Sequence, residues 1–445
     1  MMRSFENVQQ VEKEFSKLTT PQHENVNRRG LFNGGYESPD NIIIGSAQGP
    51  YMFDVSGNRY IDLGMGAGSM ILGHAYGPVV EKYQAQAAKG SIFIQPAQSA
   101  FEMKDKMLSH LPDEFGGVVF CNSGSEATMR AIRMARAYSG KQRIALFSGS
   151  WHGGHEAVLA TDDYESPALQ PKPKAASSGL PDHAMDDLLM LPYNNSEAFD
   201  LIRSQAGELA LVIIEPLQGS NPRSDIEPFL IALKDVCREE GILLAFDEVI
   251  TGYRLAMGGA VEAFGITPDI ATFGKIIGGG LPVGAVVFTD EIATRIFRSN
   301  SEPFFTGGTF SANPLAMSVG LEVIDCLERQ NYQEINDKAA ALRRGCNSFF
   351  SDHAIPMQMI GNRSMSRLIF TDRNVANRRQ RDHYEIPYRD QQVFRKILNL
   401  NGVFHPSNGI LFMSFAHEDG DVSDLVSAIT VSAMSLLQMG CFRAN

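Results

Sequence analysis

The sequence predicts an α/β protein: a large mixed, mostly parallel sheet wrapped by helices, joined to a smaller α+β lobe. Three observations carry this. Short, uninterrupted aliphatic runs recur, such as residues 209–214 (LALVII) and 241–246 (GILLAF). Runs of that kind are strands buried on both faces, as in parallel sheets. From about residue 77 to 310 they alternate with helical stretches, the pattern of strand–helix units. Polar residues cluster just after the runs, where open α/β sheets bind ligands.

Taken in order, residues 1–18 are charged and lack the apolar core of a leader peptide. They read as a polar helix on the surface or on a partner subunit. Residues 51–62 alternate around Ser56-Gly57-Asn58, a hairpin. Residues 64–69 are glycine-rich, either a turn or a loop under a ligand. A strand at 117–120 runs into Asn122-Ser123-Gly124-Ser125-Glu126 and a helix over 129–138. A helix start there offers free N–H groups at Gly124 and Ser125, an anion site; the plainer alternative is an N-cap. The strand at 144–147 delivers Ser148 to His155, including Trp151, the only tryptophan. Trp151 either stacks on a flat ring or fills the core. Residues 159–192 carry Pro167, Pro171, Pro173 and Pro181 and read as a long loop over a site or at an interface. The strand at 209–214 ends in Glu215-Pro216. After residues 281–288, a turn and a strand, Phe304 to Pro314 opens a long helix over 315–330. The rest reads as a separate α+β lobe, with the arginine-rich 373–381 as a solvated loop.

A chain of 445 residues buries a large core and divides into lobes. Its net charge of −12 comes without a basic patch, which excludes a nucleic-acid binder of the usual kind. No apolar run reaches membrane-spanning length. The five cysteines form no Cys-x-x-Cys pair, which argues against zinc and for a reducing cytoplasm.

Chemistry concentrates at Asp247, ending the run at 241–246, and at Lys275, beside Gly274 and the glycines 278–280. A buried Asp and a lysine hemmed in by glycines suit pyridoxal phosphate: the lysine forms a Schiff base, and the Asp keeps the pyridine nitrogen protonated. The pair taken alone equally fits a structural ion pair in the core.

Six motifs in order decide between these: Asn122-Ser-Gly-Ser-Glu-Ala, Trp151-His-Gly, Glu215-Pro, Asp247-Glu-Val-Ile-Thr-Gly-Tyr-Arg, Gly274-Lys-Ile-Ile-Gly-Gly-Gly and Gly307-Gly-Thr-Phe-x-x-Asn-Pro. Together they resemble the class III, fold-type I pyridoxal-phosphate aminotransferases, over about residues 49–416. The chain looks most like their glutamate-1-semialdehyde aminomutase branch, which Tyr253-Arg254 favours over the omega-transaminases. The resemblance implies a cofactor domain over 76–315 and a small domain built from 1–75 and 316–445. It implies Lys275 as Schiff-base lysine and proton shuttle, and Asp247 as partner of the pyridinium. Ser123, Gly124 and Ser125 would hold the phosphate. Thr309 would reach the phosphate bound by a neighbouring subunit, which implies a homodimer with shared sites. Trp151 would stack on one ring face and Val249 on the other, with His152 and Glu215 in the wall. Small-molecule amino donors and carbonyl acceptors are the implied partners.

Three departures from the branch point away from the aminomutase reaction itself. The segment Pro-Ser-x-x-Glu becomes Pro406-Ser407-Asn408-Gly409, without the acid. The N-terminal Gly-Ser-Trp-Gly-Pro becomes Met65-Gly66-Ala67-Gly68-Ser69, so Ala67 leaves a roomier substrate side. Trp151 replaces the usual tyrosine. Arg28 or Arg29 falls near the branch's carboxylate-binding arginine, and a surface role is the alternative. Aminotransfer is the first expectation. Another carbanion reaction (an amino shift, an elimination or a carbon–carbon bond formation) is the second. A catalytically silent scaffold is a third, against which the intact Lys275, Asp247 and phosphate loop speak.

Overall fold

Seven strands form the principal sheet, in the order Phe115–Cys121, Gly284–Thr289, Ile270–Gly274, Leu243–Asp247, Leu209–Ile214, Arg143–Phe147, Leu188–Leu191. Only Gly284–Thr289 runs antiparallel to its neighbours; the pairings on its other side are parallel. The computed structural model describes residues 2–18, 42–299 and 303–442, and the chain divides into two compact units.

The sheet belongs to the unit of Gly77–Gln330 with Ala376–Arg379. Its central strands are aliphatic throughout, and Leu209–Ile214 and Ile270–Gly274 are buried along their whole length. The helix Gly124–Ser139 lies against them, burying Ala127, Ala131, Ile132, Met134 and Ala135. Its alanines carry little side chain, so the helix axis can approach the sheet closely. The helix starts on Ser123, whose Oγ accepts the Glu126 N–H, and ends on Gly140 at φ 73°. Residues 159–192 are more ordered than a loop. They contain the antiparallel pair Ala160–Asp162 and Pro173–Ala175, and the strand Leu188–Leu191 that closes one edge of the sheet. The prolines delimit these pieces, while the run Leu-Leu-Met-Leu has enough apolar surface to pair.

The other unit comprises Met1–Tyr76, Asn331–Val375 and Gln380–Asn445. The expected hairpin is present as Tyr51–Asp54 paired antiparallel with Arg59–Asp62. Beside it runs Val403–Phe404, parallel to the second strand. A three-stranded sheet, Gln358–Asn362, Met365–Ile369 and Ile410–Phe412, is antiparallel throughout. The N-terminal helix Val8–Leu18 is not a free polar helix: it packs on Tyr388–Leu400, burying Val11 and Phe15. A Glu12–Lys396 bridge of 2.8 Å adds to that contact. The helix Asp419–Gln438 is long and apolar enough to cross a membrane by length and composition, contrary to the reading of the sequence. It packs instead against Tyr332–Asp352 and Tyr388–Leu400, and its apolar content is core surface.

The arginine-rich stretch also departs from expectation. Arg381 is buried, pairs with Asp382 and lies 3.4 Å from Glu385. In the first unit Arg379 lies 3.8 Å from buried Asp162. Arg379 and Arg381 thus have carboxylate partners, while Arg373 stays exposed.

Candidate active site

Five chain segments leave the sheet at its carboxyl edge and converge on one cavity, the place where α/β sheets bind ligands. Gly124, Ser125, Trp151, His152, Glu215, Asp247, Val249 and Lys275 all line it. Each stands at or just beyond a strand end: 115–121, 143–147, 209–214, 243–247 and 270–274.

Asp247 is the last residue of its strand and is buried. The register sets Thr272 opposite it, and Thr272 Oγ1 donates to Asp247 Oδ1 at 3.1 Å. The Val249 N–H donates to the same oxygen at 3.2 Å. His152 Nδ1 donates to Oδ2 at 2.7 Å, because a carboxylate oxygen can only accept. Three bonding groups therefore fix the carboxylate plane. The remaining His152 nitrogen, Nε2, is buried without a partner among the described residues.

Lys275 sits at φ 48°, a left-handed conformation that costs a non-glycine residue about 1–2 kcal/mol. Such strain collects at functional positions. Burial lowers the Lys275 pKa, outweighing the carboxylates of Asp247 and Glu215, which act the other way. The amine is thereby biased toward its neutral, nucleophilic form.

The helix start supplies the anion cradle. Gly124 is its first residue, and a Cβ there would stand 2.7 Å from Val249 Cγ1, so only glycine leaves the cradle open. Ser125 Oγ accepts the Gly154 N–H at 3.2 Å. Ser123 is the exception among the expected phosphate residues: its side chain serves as the helix cap and it does not line the cavity. Val249 packs against the Gly124 position.

Glu215 and Trp151 also line the cavity. Glu215 Oε1 accepts the Trp151 N–H at 2.8 Å and Oε2 accepts the Gly219 N–H at 3.0 Å. Burial raises the Glu215 pKa. Its geometry makes it a clamp on the Trp151 backbone. Trp151 is 61% exposed, which removes the core-filling alternative. Ser220 Oγ donates to the Gly149 carbonyl at 2.8 Å and does not line the cavity.

Thr309 is exposed on a loop held by Arg130, which donates to the Gly307 carbonyl at 3.1 Å. Ala67 belongs to the other unit, in a turn at φ 55°. Arg28 and Arg29 lie outside the described residues. The sequence reading did not single out Thr272 or Leu217. Thr272 had a signal in hindsight: it is the polar residue of an otherwise apolar strand. Among the described residues no group of His, Cys, Asp and Glu could hold a metal ion.

The donor set fits pyridoxal phosphate: an anion cradle at a helix start, a fixed carboxylate for a ring nitrogen, a flat exposed indole, and an amine held below the usual lysine range.

The family model for class III aminotransferases matches residues 35–372. The chain is a class III aminotransferase. Among its curated relatives, this class III chain is 34% identical over 399 residues to the glutamate-1-semialdehyde 2,1-aminomutase of Methanothermobacter thermautotrophicus, covering 88% of this chain and 91% of that one. It is 35% identical over 411 residues to the aminomutase of Methanobrevibacter smithii, covering 90% and 94%. Among solved structures, an omega-transaminase from Sphaerobacter thermophilus superimposes with a TM-score of 0.85 at 28% identity, over 96% of this chain and 98% of that one. A glutamate-1-semialdehyde aminomutase from Pseudomonas aeruginosa gives a TM-score of 0.84 at 20% identity, over 96% and 97%, and shares the fold. The class III fold, a fold-type I aminotransferase architecture, is as the motifs implied.

Proposed function

We propose that this enzyme uses pyridoxal phosphate, bound to Lys275, to move an amino group between an amino-acid-like donor and a carbonyl acceptor. The observation that carries the reading is the convergence of Lys275, Asp247 and the Gly124–Ser125 helix start on one cavity. The cofactor, when bound, supplies an aldehyde that condenses with amines and a ring that takes up negative charge. The protein's residues do the rest. Gly124 and Ser125, with the cap Ser123 behind them, hold the phosphate through free N–H groups. Asp247 would hold a proton on the ring nitrogen, and His152 and Thr272 hold Asp247. Trp151 covers one ring face and Val249 the other. Glu215 sets the Trp151 backbone. Lys275, biased toward its neutral form, would be the residue that holds the cofactor through its amine and moves a proton at the reacting carbon.

Substrate contacts in this reading are Ala67, whose small side chain leaves room, and Arg28 or Arg29 for a carboxylate. We infer a cytoplasmic homodimer, with Thr309 reaching the partner's phosphate. Phe93, Ile94, Phe101, Phe305 and Phe310 are exposed large apolar side chains, which a second copy would cover. An intramolecular amino shift is the second reading, favoured by the aminomutase relatives.

The test is borohydride reduction of the cofactor-loaded protein, peptide mapping of the label, and an absorbance titration with amino donors. The label is expected on Lys275 and absent in Lys275→Ala. Donors alone should convert the cofactor to its aminated form. A label on another lysine overturns the site. A correct label with no aminated cofactor from any donor overturns transamination and leaves the amino shift.

A further inference from the structure

Arg130 lies on the helix Gly124–Ser139 and is 3% exposed. A guanidinium taken out of water needs a full set of acceptors. Its two ends find them in different places. Nη1 donates to the Phe120 carbonyl at 2.8 Å, which ties the helix to the strand Phe115–Cys121. Nη2 faces the segment that leads into the helix Pro314–Leu327. It donates to the Gly307 carbonyl at 3.1 Å and to Ser311 Oγ at 3.3 Å. Glu126 Oε2 lies 3.5 Å from the same nitrogen and also accepts the Asn122 N–H. Arg130 Nε is buried without a partner. The guanidinium therefore needs the acceptors that Gly307 and Ser311 supply.

Those two contacts bracket Thr309, which is exposed. The turn between them buries little of its own. Gly307 and Gly308 carry no side chain, and Phe305 and Phe310 are 70% and 55% exposed. Segments with few buried apolar contacts open readily. Within the turn the Ser311 N–H donates to the Gly308 carbonyl at 3.0 Å. A Cβ on Gly308 would stand 2.7 Å from Ser311 Oγ, displacing the hydroxyl that Arg130 holds. The turn is thus shaped around the guanidinium.

We infer that Arg130 is a positioning residue for the cofactor: by gripping the chain on either side of Thr309, it presets the turn so that the Thr309 hydroxyl meets the phosphate bound by the neighbouring subunit. The inference rests on the reading of Thr309 given above. A turn ordered in advance loses little freedom when the phosphate arrives, so affinity rises without Arg130 touching the cofactor. The consequence is specific. Arg130 acts only on a ligand that carries the phosphate, and only while Thr309 keeps its hydroxyl.

The test is equilibrium dialysis of the cofactor-free whole chain against pyridoxal phosphate and against pyridoxal, which offers Lys275 the same aldehyde without the phosphate. Thr309→Ala should weaken pyridoxal phosphate binding about tenfold, the value of one lost hydrogen bond to a charged group. Arg130→Met should weaken it by up to the same factor and leave pyridoxal binding at wild-type strength; a merely structural loss would lower both. The double variant Arg130→Met/Thr309→Ala should bind like Thr309→Ala, because the grip on the turn is worth nothing once the hydroxyl is gone. Arg130→Lys, which keeps the charge and loses the fork, should recover part of the affinity. If Arg130→Met does not fold, Ser311→Ala, which leaves the bond to Phe120 intact, should show the same selectivity with a loss of about threefold. The inference fails while the reading of Thr309 stands if Thr309→Ala selectively weakens pyridoxal phosphate but the folded Arg130 variants and Ser311→Ala do not, if those variants weaken pyridoxal equally, or if the double variant loses the product of the two single effects. The reading of Thr309 fails, and the inference with it, if Thr309→Ala binds pyridoxal phosphate like the wild type.

Discussion

His152 Nδ1 lies 2.7 Å from Asp247 Oδ2, and both side chains are buried. The imidazole therefore holds the carboxylate through a bond to a charged acceptor, and its other nitrogen has no protein partner among the described residues. In the proposed arrangement His152 is a positioning residue, acting on the cofactor through Asp247. His152→Ala removes a buried charge-assisted bond of about 1.5–3 kcal/mol, equivalent to roughly a tenfold to hundredfold loss in kcat. His152→Asn, whose amide can still donate, should recover part of it. A role exercised through Asp247 predicts that kcat falls while KM for the amino donor changes little. Steady-state kinetics on both variants check this. Equal activity of wild type and His152→Ala would sink the positioning role.

Lys275 gives a pH prediction. Its pKa is lowered by burial in spite of nearby carboxylates. A lowered lysine pKa enlarges the neutral fraction at any given pH. The rate of cofactor uptake by the apoprotein should therefore rise with pH through a midpoint below the ordinary lysine value of about 10.4. For stability the sign follows the same shift. The fold favours the neutral amine, so this group's contribution is full above the unfolded pKa and is lost as pH falls through the lower, folded one. Stopped-flow absorbance on mixing apoprotein with pyridoxal phosphate reads the midpoint. A value at or above that of free lysine would contradict the arrangement.

Much of this site was legible because strand ends are legible. The aliphatic runs could form only buried strands, and the residues after them, Asp247, Lys275 and Glu215, had to lie along one edge. What the residues do there was less legible. Ser123 reads as a phosphate ligand but spends its hydroxyl on the Glu126 N–H. Glu215 reads as part of the wall but clamps the Trp151 backbone. Both roles depend on which backbone groups lie opposite, and a linear sequence does not show that. The errors in the rest of the chain have a common cause. The N-terminal helix, the run at Leu188–Leu191 and Arg379, which lies beside Asp162, all owe their state to partners far away in sequence. Tertiary contacts override local polarity in each case.

The Gly124–Val249 contact predicts a coupled pair. A Cβ at Gly124 would stand 2.7 Å from Val249 Cγ1 and 2.9 Å from Cγ2. Overpacking of this kind costs about 1–3 kcal/mol, so Gly124→Ala should lower thermal stability and weaken cofactor affinity together. Val249→Ala removes the obstructing methyls. The double variant should recover most of the stability lost by Gly124→Ala, a non-additivity expected only for residues in contact. Thermal melts and cofactor titrations on the four proteins of the cycle measure it. Strict additivity would show that the two positions do not meet.

Glu248 predicts a stability effect away from the cofactor. It is fully buried beside Asp247, yet it does not line the cavity. Its Oε2 accepts from Thr251 Oγ1 and from the Ala260 N–H at 2.9 Å, and its Oε1 accepts from the Val261 N–H at 2.9 Å. It thereby ties the strand end to the start of the helix Gly259–Phe264. Burial raises its pKa to about 7, despite those three donors. A carboxyl raised in the fold contributes stability that is full below the unfolded value of about 4.3 and is lost as pH rises through its folded value. Glu248→Gln has two consequences. The amide NH2 replaces one acceptor and faces a backbone donor, which should destabilise the protein by about 1–3 kcal/mol at slightly acidic pH. The variant also cannot ionise, so its stability should change less than the wild type's across neutral pH. Denaturant melts of both proteins on either side of neutrality separate the two effects. A variant that is destabilised but keeps the full wild-type pH dependence would show that another group titrates there.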